Sequence, residues 1–463
     1  MILYIFAEVC EGRVQPEFVG EIHFWRGLWQ KSRANERVNK DSLAATLPRR
    51  VYLLGWISLF ADIASEMVYP IIPIYATTVL MAKPTALGLI EGVAAAIVSF
   101  MRGWSGWHSD RLGRRVPYIQ WGYGLSALGK PLLAVPFGWV GVLIARSVDR
   151  VGKGLRTTAR DALIVDSVDK SQYGQAFGLH RSMDTTGAFL GGVLAIVMLI
   201  VWPGDLRWIF LVAFLPGLVS VAITFLIKEP RTDAESQLPA KAVPLSMTGF
   251  PPAYWRAVVI ALVFGLANSS DTFLLLKANQ VFEGLAGFDW LRNLLPESAV
   301  DAHFPLILTT LAYLLYNIAY VAFSYPAGLV SDRIGRWGVI GVGWLLYAAV
   351  YAGFAFTGAG SIWWLFLLYG VYIGLADGVG KALVADHAPP DRRGTALGIY
   401  FMAMGFATIA GNLLTGWLYT AYSPAAAFIT GAALAVFAVV LIPLTARVGR
   451  TPSQGQEMPG QGV

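Results

Sequence analysis

The chain has 463 residues, of which 56% belong to the apolar and aromatic set and only 14% are charged, and its mean hydropathy is +0.57. Soluble proteins carry about 25% charged residues, so a water-soluble fold of this size would lack the charges to cover its surface. The composition therefore excludes a soluble enzyme. The formal net charge of +6 points to basic loops at a membrane surface and not to a nucleic acid partner.

The first 49 residues differ in character from the rest of the chain. They place acids inside a short apolar start and contain no small-residue cleavage site, so they do not resemble a secretory signal. We expect residues 1–49 to be a disordered cytoplasmic leader or the product of an over-extended start codon. An interfacial amphipathic helix near Phe24–Trp29 is the alternative. The only cysteine, Cys10, excludes an internal disulfide, and the five scattered histidines predict no metal and no cofactor.

Apolar runs of about 20 residues, the length that crosses a bilayer as a helix, recur along the rest of the chain. They predict twelve helices, near 51–79, 85–105, 117–136, 139–160, 175–202, 208–227, 255–277, 305–327, 338–357, 362–385, 395–420 and 424–446. Basic residues concentrate in alternate connections, which places both termini in the cytoplasm of a bacterial inner membrane.

The connections divide the chain into regions. The polar, Pro-rich stretch 228–254 is predicted to be a cytoplasmic linker between six-helix halves at 50–227 and 255–447, with a tail at 448–463. The long outer connection 278–304 is predicted to form a small external cap. No soluble domain of useful size remains, which argues against a membrane sensor or scaffold.

Two of the connections carry nearly the same sequence. GWHSDRLGRR follows the second predicted helix and GLVSDRIGRW follows the eighth, so that Asp110 and Asp332 are 222 residues apart. Asp166 and Asp386 each precede a G-x-A-x-G stretch and are 220 residues apart. Because two features repeat at almost the same offset, we infer that a six-helix unit was duplicated.

The first of these loops, G-x-x-x-D-R-x-G-R-R, resembles the signature loop of the major facilitator superfamily, whose weaker copy follows helix 8. Strings such as DIASEMVYPIIPIY resemble a little-characterised bacterial and archaeal subgroup of it. The resemblance implies an all-α polytopic membrane protein with twelve transmembrane helices in two six-helix pseudo-symmetric halves, working as a monomer. It also implies that the loops latch the halves while the cytoplasmic side is closed. The alternative is that their basic residues only hold the loops inside. The residues of this gate motif are Gly106, Asp110, Arg111, Gly113, Arg114, Arg115, Gly328, Asp332, Arg333, Gly335 and Arg336.

Acids inside the first predicted helix cost about 2.5–3.5 kcal/mol each at bilayer depth, so they need partners or water. Asp62 and Glu66 are four residues apart and share a helix face. Two neighbouring carboxylates resist double ionisation, which makes the pair a candidate proton carrier. The alternative is permanent neutralisation by arginines of helix 4 or 5. Pro70 and Pro73 are expected to bend the outer end of this helix.

The fourth predicted helix is so charged that it must line a central cavity and not face lipid. The spacings of Arg146 and Asp149, and of Asp149 and Lys153, predict ion pairs within the helix. Arg146 resembles the helix-4 arginine of superfamily antiporters. Arg146 or Arg150 is a candidate to exchange partners with the acids of helix 1, whereas a surplus of buried guanidinium groups would suit an anionic substrate. No role follows for three isolated charges of helices 2 and 3: Glu91, Arg102 and Lys130.

Helix 5 carries Arg181 and Asp184 at i,i+3, which are coupling candidates or simply a local ion pair. The resemblance extends to the glycine motif that antiporters carry in helix 5. Its glycines are Gly187, Gly191 and Gly192, and Gly192 stands where a proline is expected.

Helices 7 and 8 supply candidates from the second half. Asp271 lies about as far toward the outside as Glu66, and a matched acid in each half would suit a central site. Tyr313, Tyr316 and Tyr320 share one face of helix 8. That face predicts packing or, alternatively, the lining of a pocket for an organic substrate.

Together these features predict a non-enzymatic secondary transporter that works by alternating access. We expect proton-coupled efflux of a small organic molecule, driven by the proton gradient. The alternatives are import or exchange of an organic anion and an uncoupled facilitator.

Overall fold

The computed structural model describes residues 47–135, 137–169, 172–229, 249–283, 287–388 and 393–443, which form α-helices and no β-strand. The predicted leader, the tail and most of the linker lie outside these residues. The long helices in chain order are α1 (Arg49–Val79), α2 (Pro84–Leu112), α3 (Val116–Leu133), α4 (Gly138–Val165), α5 (Tyr173–Val201), α6 (Arg207–Thr224), α7 (Pro252–Glu283), α8 (Glu297–Ile334), α9 (Arg336–Phe356), α10 (Ala359–Asp386), α11 (Arg393–Ala421) and α12 (Pro424–Leu441).

Within the described residues, ten of these helices are long and apolar enough to cross a membrane. The other two are α3 and α4. The sequence of α4 is rich in charged residues, and α3 contains Lys130. Membrane crossing by these two helices, and hence the total of twelve, stays a prediction.

The helices pack as two groups. In the first half, α1 packs on α5 and α6, and α4 packs on α2 and α3. In the second half, α10 packs on α8 and α9, and α12 packs on α9 and α7. The halves meet along α2 with α11 and along α5 with α8. At the first of these contacts a side chain on Gly88 would collide with the backbone of Asn412, so small residues bring the two helices together.

The outer end of α1 is irregular, as Pro70 and Pro73 predict, whereas α8 differs from its predicted form. The regular part of α1 ends at Val68, before Pro70 and Pro73, and the helix closes in a π-turn at Tyr75–Val79. α8 is much longer than predicted because it starts at Glu297, whose charge suits a helix N-terminus. The predicted cap at 278–304 is therefore corrected: it consists of the end of α7, a short helix at Asp289–Arg292 and the start of α8.

Both repeated loops turn at a glycine with a positive φ. Gly113 between α2 and α3 has φ +62°, and Gly335 between α8 and α9 has φ +93°. Both values lie in the left-handed region that glycine adopts without strain. We call the membrane face that carries these two loops the loop side, and the other the far side.

Candidate functional site

α7 is broken in the middle of the bundle. Its helical geometry stops after Ala267 and resumes at Thr272. The backbone N–H of Ser270 donates to the side chain of Asn412 at 2.8 Å, and the hydroxyl of Tyr347 donates to the carbonyl of Ala267 at 2.6 Å. Side chains from neighbouring helices thus satisfy backbone groups that the break releases. Broken helices of this kind mark substrate sites in membrane transporters.

Next to the break, two hydrogen bonds join the halves in a reciprocal pattern. Tyr313 of α8 donates to Glu66 of α1 at 2.6 Å. Tyr69 of α1 donates to Asp271 of α7 at 3.2 Å. The two tyrosine rings are 5.6 Å apart. We call these four residues the acid–tyrosine contact. Each half contributes one acid and one tyrosine, which agrees with the predicted match of Glu66 and Asp271.

Two charges of α4, Arg146 and Asp149, find their closest partners on other helices. The Arg146 guanidinium lies 2.7 and 2.9 Å from the two carboxylate oxygens of Glu91 on α2. The Lys130 ammonium of α3 lies 2.6 Å from Asp149. These four side chains are at most 10% exposed. The predicted pairs within α4, Arg146 with Asp149 and Asp149 with Lys153, are therefore corrected.

Glycines at the contact of α3 and α4 explain why Asp149 pairs with Lys130 on another helix. A side chain on Gly129 would crowd the Asp149 side chain, and one on Gly152 would collide with the backbone at Gly122. α3 and α4 therefore approach closely enough for Lys130 to reach across. Such contacts depend on how the helices pack, and the spacing of residues within α4 does not predict that packing.

Asp62 and Glu66 do not form a pair either. Glu66 turns to α8, whereas the Asp62 carboxyl meets that of Asp184 on α5 within hydrogen-bonding reach. Ser58 also donates to Asp184, at 2.7 Å. Residues at i and i+4 point in directions about 40° apart around a helix. This difference is enough for Asp62 to face α5 while Glu66 faces α8. The candidate for sharing a proton is thus Asp62 with Asp184.

Arg181 extends this cluster to the second half. It lies 3.1 Å from Asp184, as the i,i+3 spacing predicts. It also donates to the hydroxyl of Tyr320 on α8 at 2.7 Å. A chain of polar contacts therefore runs from Asp62 through α5 to the tyrosine face of α8.

A central cavity lies between the halves. It consists of one chamber of about 520 Å³ and an adjoining one of about 200 Å³, which share Arg150, Lys153 and Asp271 in their walls. The larger chamber runs along α2 from Glu91 to Arg102, that is, from the level of the acid–tyrosine contact toward the loop side. On the far side of the cavity, the acid–tyrosine contact joins the halves. Thr85 and Thr420, at the far-side ends of α2 and α11, are hydrogen-bonded at 2.9 Å.

The gate motif forms its described contacts within each half. Arg115 donates to Ser109 at 2.8 Å and lies 3.8 Å from Asp166. Arg336 donates to Ser331 at 2.9 Å and to Asp386 at 3.0 Å. The two loops therefore repeat one arrangement in both halves, which supports the inferred duplication.

The remaining motif residues have different surroundings. A side chain on Gly106 would press on Thr158 of α4, whereas the space around Gly328 is open. Arg111 lies over the Trp107 ring at 5.8 Å, and Arg114 is exposed. The side chains of three members lie outside what the structure describes: Asp110, Asp332 and Arg333. Latching of the halves stays a prediction.

The helix-5 glycines serve close packing. Side chains on Gly187 and Gly191 would collide with the α1 carbonyls of Leu59 and Ile63. A side chain on Gly192 would collide with Leu314 of α8. These glycines therefore let α5 contact α1 and the second half, whatever the direction of transport.

Sequence reasoning gave no role to Glu91, Arg102 and Lys130, and it left out Tyr69. For Glu91 and Lys130 a signal was present, because an ionisable residue at bilayer depth requires a partner. Only the packing of α2, α3 and α4 shows which partner each one takes. The role of Tyr69 follows from the position of Asp271, on a helix of the other half.

A helical membrane bundle with a broken helix, buried ion pairs and a central cavity defines a secondary transporter as the class of protein. Comparison with known proteins agrees. The family model of the Major Facilitator Superfamily matches residues 54–296 and 284–461. The chain belongs to the Major Facilitator Superfamily.

Relatives and solved structures point the same way. The chain is 32% identical over 414 residues to the uncharacterized MFS-type transporter MJ1317 of Methanocaldococcus jannaschii, covering 89% of this chain and 97% of that protein. It is 24% identical over 309 residues to the cis,cis-muconate transport protein of Acinetobacter baylyi, covering 63% and 68%. The crystal structure of the nucleoside transporter NupG matches with a TM-score of 0.66 at 14% identity, covering 86% of this chain and 100% of that one. That structure supports the fold alone.

Proposed function

We propose that this transporter moves a small organic anion through the central cavity by alternating access, coupled to protons at the acid–tyrosine contact. The observation that carries the proposal is the pair of hydrogen bonds from Tyr313 to Glu66 and from Tyr69 to Asp271. A hydrogen bond to an ionised acceptor is roughly twice as strong as a neutral one. Ionised acids therefore hold the far side closed, and protonated acids release it.

The charges of the cavity support an anionic substrate. Five basic and four acidic side chains line the two chambers: Arg102, Lys130, Arg146, Arg150 and Lys153, against Glu66, Glu91, Asp149 and Asp271. The excess is positive even when every acid is ionised, and it grows when protons bind. The muconate transport named for the Acinetobacter relative is in keeping with such a cavity.

The loop side corresponds in this proposal to the cytoplasm of a bacterial inner membrane, because its connections are basic. The protein works as a monomer, with both termini inside. Export remains the direction predicted from the helix-5 glycines, and uptake is the direction that an inward proton gradient gives an anion carried together with protons. We take uptake as the expected direction, because the positive cavity suits an anion carried together with protons, and the test covers both directions.

The test uses cells that lack their own muconate transport and their main efflux pumps. Uptake of labelled cis,cis-muconate and resistance to ethidium are measured for the wild type, Glu66→Gln and Asp271→Asn. Asp301→Asn is the matched control, because Asp301 is an exposed acid at the start of α8. We expect muconate uptake that both cavity variants lose and the control keeps. Resistance to ethidium that depends on the same acids would establish export instead. Uptake unchanged in both variants would show an uncoupled facilitator.

A further inference from the structure

The two walls of the larger chamber differ in chemistry. The first half contributes three basic side chains: Arg102 of α2 and Arg150 and Lys153 of α4. The second half contributes a set of aromatic side chains from α7, α9, α10 and α11: Phe264, Trp344, Tyr369, Tyr372, Tyr400 and Phe401. A ligand between these walls meets cations on one side and rings on the other.

Two cations of the basic wall, Arg150 and Lys153, are not neutralised in the way Lys130 and Arg146 are. Lys130 and Arg146 each have a carboxylate within 2.7 Å. Arg150 lies 3.9 Å from Asp149, whose other oxygen already accepts from Lys130 and Ser126. Because the Asp149 carboxylate is already hydrogen-bonded to Lys130 and Ser126, it neutralises the charge of Arg150 only weakly.

Lys153 is a cation of this wall without a close counter-ion, because Asp62 and Glu66 attract it only from beyond ion-pair distance. Its ammonium group is half-buried where the two chambers join, and it forms no hydrogen bond or ion pair with the residues that the structure describes. A partly buried cation without a close ion pair carries a desolvation cost. An anion bound between Lys153 and Arg150 removes that cost.

The aromatic wall is a set of rings packed against one another. Phe264 and Trp344 stack with their ring centroids 4.4 Å apart and their planes 6° apart. Tyr372 packs beside Phe264 at 6.1 Å and beside Tyr369 at 5.5 Å. Rings prefer offset or edge-on contacts with other rings, so this wall favours a planar unsaturated body over a flexible aliphatic chain.

From these walls we propose that the cavity binds a planar aromatic or conjugated carboxylate. Its carboxylate lies between Lys153 and Arg150, and its unsaturated body lies against Phe264, Trp344 and Tyr372. The chamber of about 520 Å³ is within the range of ordinary small-molecule sites, roughly 300–1,000 Å³. This inference rests on the proposed function, because it takes the cavity as the transport site.

Binding to the purified protein in detergent tests the proposal by calorimetry with three related probes. Cinnamate has both the charge and the plane, cinnamamide keeps the plane without the charge, and 3-cyclohexylpropionate keeps the charge without the plane. We expect cinnamate to bind at least tenfold more tightly than cinnamamide and several-fold more tightly than the saturated acid. Equal binding of cinnamate and cinnamamide, or no binding of cinnamate, would overturn the proposal without any variant.

Variants then locate the site. We expect Lys153→Gln to weaken cinnamate at least tenfold, Lys153→Arg to restore most of the affinity, and Trp344→Leu to remove the preference over the saturated acid. Lys277→Gln is the matched control, since Lys277 is a half-buried lysine of α7 outside the cavity walls. Thermal unfolding of each variant verifies that it is folded. Undiminished binding in folded Lys153→Gln would overturn the assignment.

The two proposals fail separately. Cinnamate binding at Lys153 without proton-dependent transport would leave the site intact and remove the coupling. Transport that depends on Glu66 and Asp271 but is indifferent to Lys153 and to carboxylates would leave the coupling intact and remove the site.

Discussion

The two halves of the transporter share a scaffold and differ in what they place in the cavity. Both halves use an arginine, a serine and an aspartate to brace the repeated loop, with Arg115 and Arg336 in corresponding roles. Inside, the first half holds the buried ion pairs of α4, whereas the second half holds a broken helix and a cluster of tyrosines. After duplication the loops stayed alike and the cavity walls diverged. A substrate that is charged at one end and flat at the other fits that divergence.

The largest effect should come from the ion pairs of the first half. Arg146→Met leaves the Glu91 carboxylate buried without its partner, which costs about 3–5 kcal/mol. We expect a large loss of thermal stability and of folded protein in membranes, measured by unfolding of the purified protein. Adding Glu91→Gln should recover much of the loss, because the buried charge is then gone. If the single change were harmless, the ion pair would not hold the first half together.

The acid–tyrosine contact should give the next effect, because it belongs to both halves. Tyr313→Phe removes the donor to Glu66, and a hydrogen bond to a charged group contributes about 1.5–3 kcal/mol. We expect the far side to open more often, by about tenfold or more, measured by spin-label distances between the far-side ends of α2 and α11. Tyr123→Phe is the control, because the buried hydroxyl of Tyr123 on α3 has no hydrogen-bond partner among the described residues. Unchanged distances in Tyr313→Phe would mean that the contact does not close the far side.

A smaller effect is expected where the halves touch through an exposed side chain. The Arg181 side chain is 59% exposed, and ion pairs in such positions contribute about 1 kcal/mol or less. Arg181→Gln should therefore lower the unfolding temperature only slightly. If Arg181 links the Asp62–Asp184 pair to Tyr320 during transport, the same variant slows proton-driven transport strongly. Equal losses in stability and transport would assign Arg181 to packing alone.

The smallest effects should come from the repeated loops. Asp166 and Asp386 are 45% and 52% exposed in their pairs with arginine, so Asp166→Asn and Asp386→Asn should each cost about 0.5 kcal/mol. Two similar small shifts in unfolding temperature would fit equivalent loops. A large loss in only one variant would show that the two halves use their loops differently.

The sequence predicted a helical membrane bundle of the major facilitator type, because apolar runs and the loop motifs depend on local sequence. It also located most charged residues of the site, since any acid or base at bilayer depth needs an explanation. It misassigned their partners. The spacing within α4 suggested Asp149 with Lys153, but Gly129 and Gly152 bring α3 close enough for Lys130 to take Asp149. The bonds from Tyr313 to Glu66 and from Tyr69 to Asp271 join residues about 200 positions or more apart, and no local pattern encodes them.

Proton coupling at the acid–tyrosine contact is the central claim, and transport by the purified protein in liposomes tests it most directly. Labelled terephthalate, a planar dicarboxylate that crosses lipid poorly, is added outside liposomes with and without an imposed inward proton gradient. We predict that the gradient drives accumulation in the wild type, and that Glu66→Gln with Asp271→Asn retains exchange of terephthalate but accumulates none. Accumulation that persists in the double variant, or wild-type transport that ignores the gradient, would contradict the account.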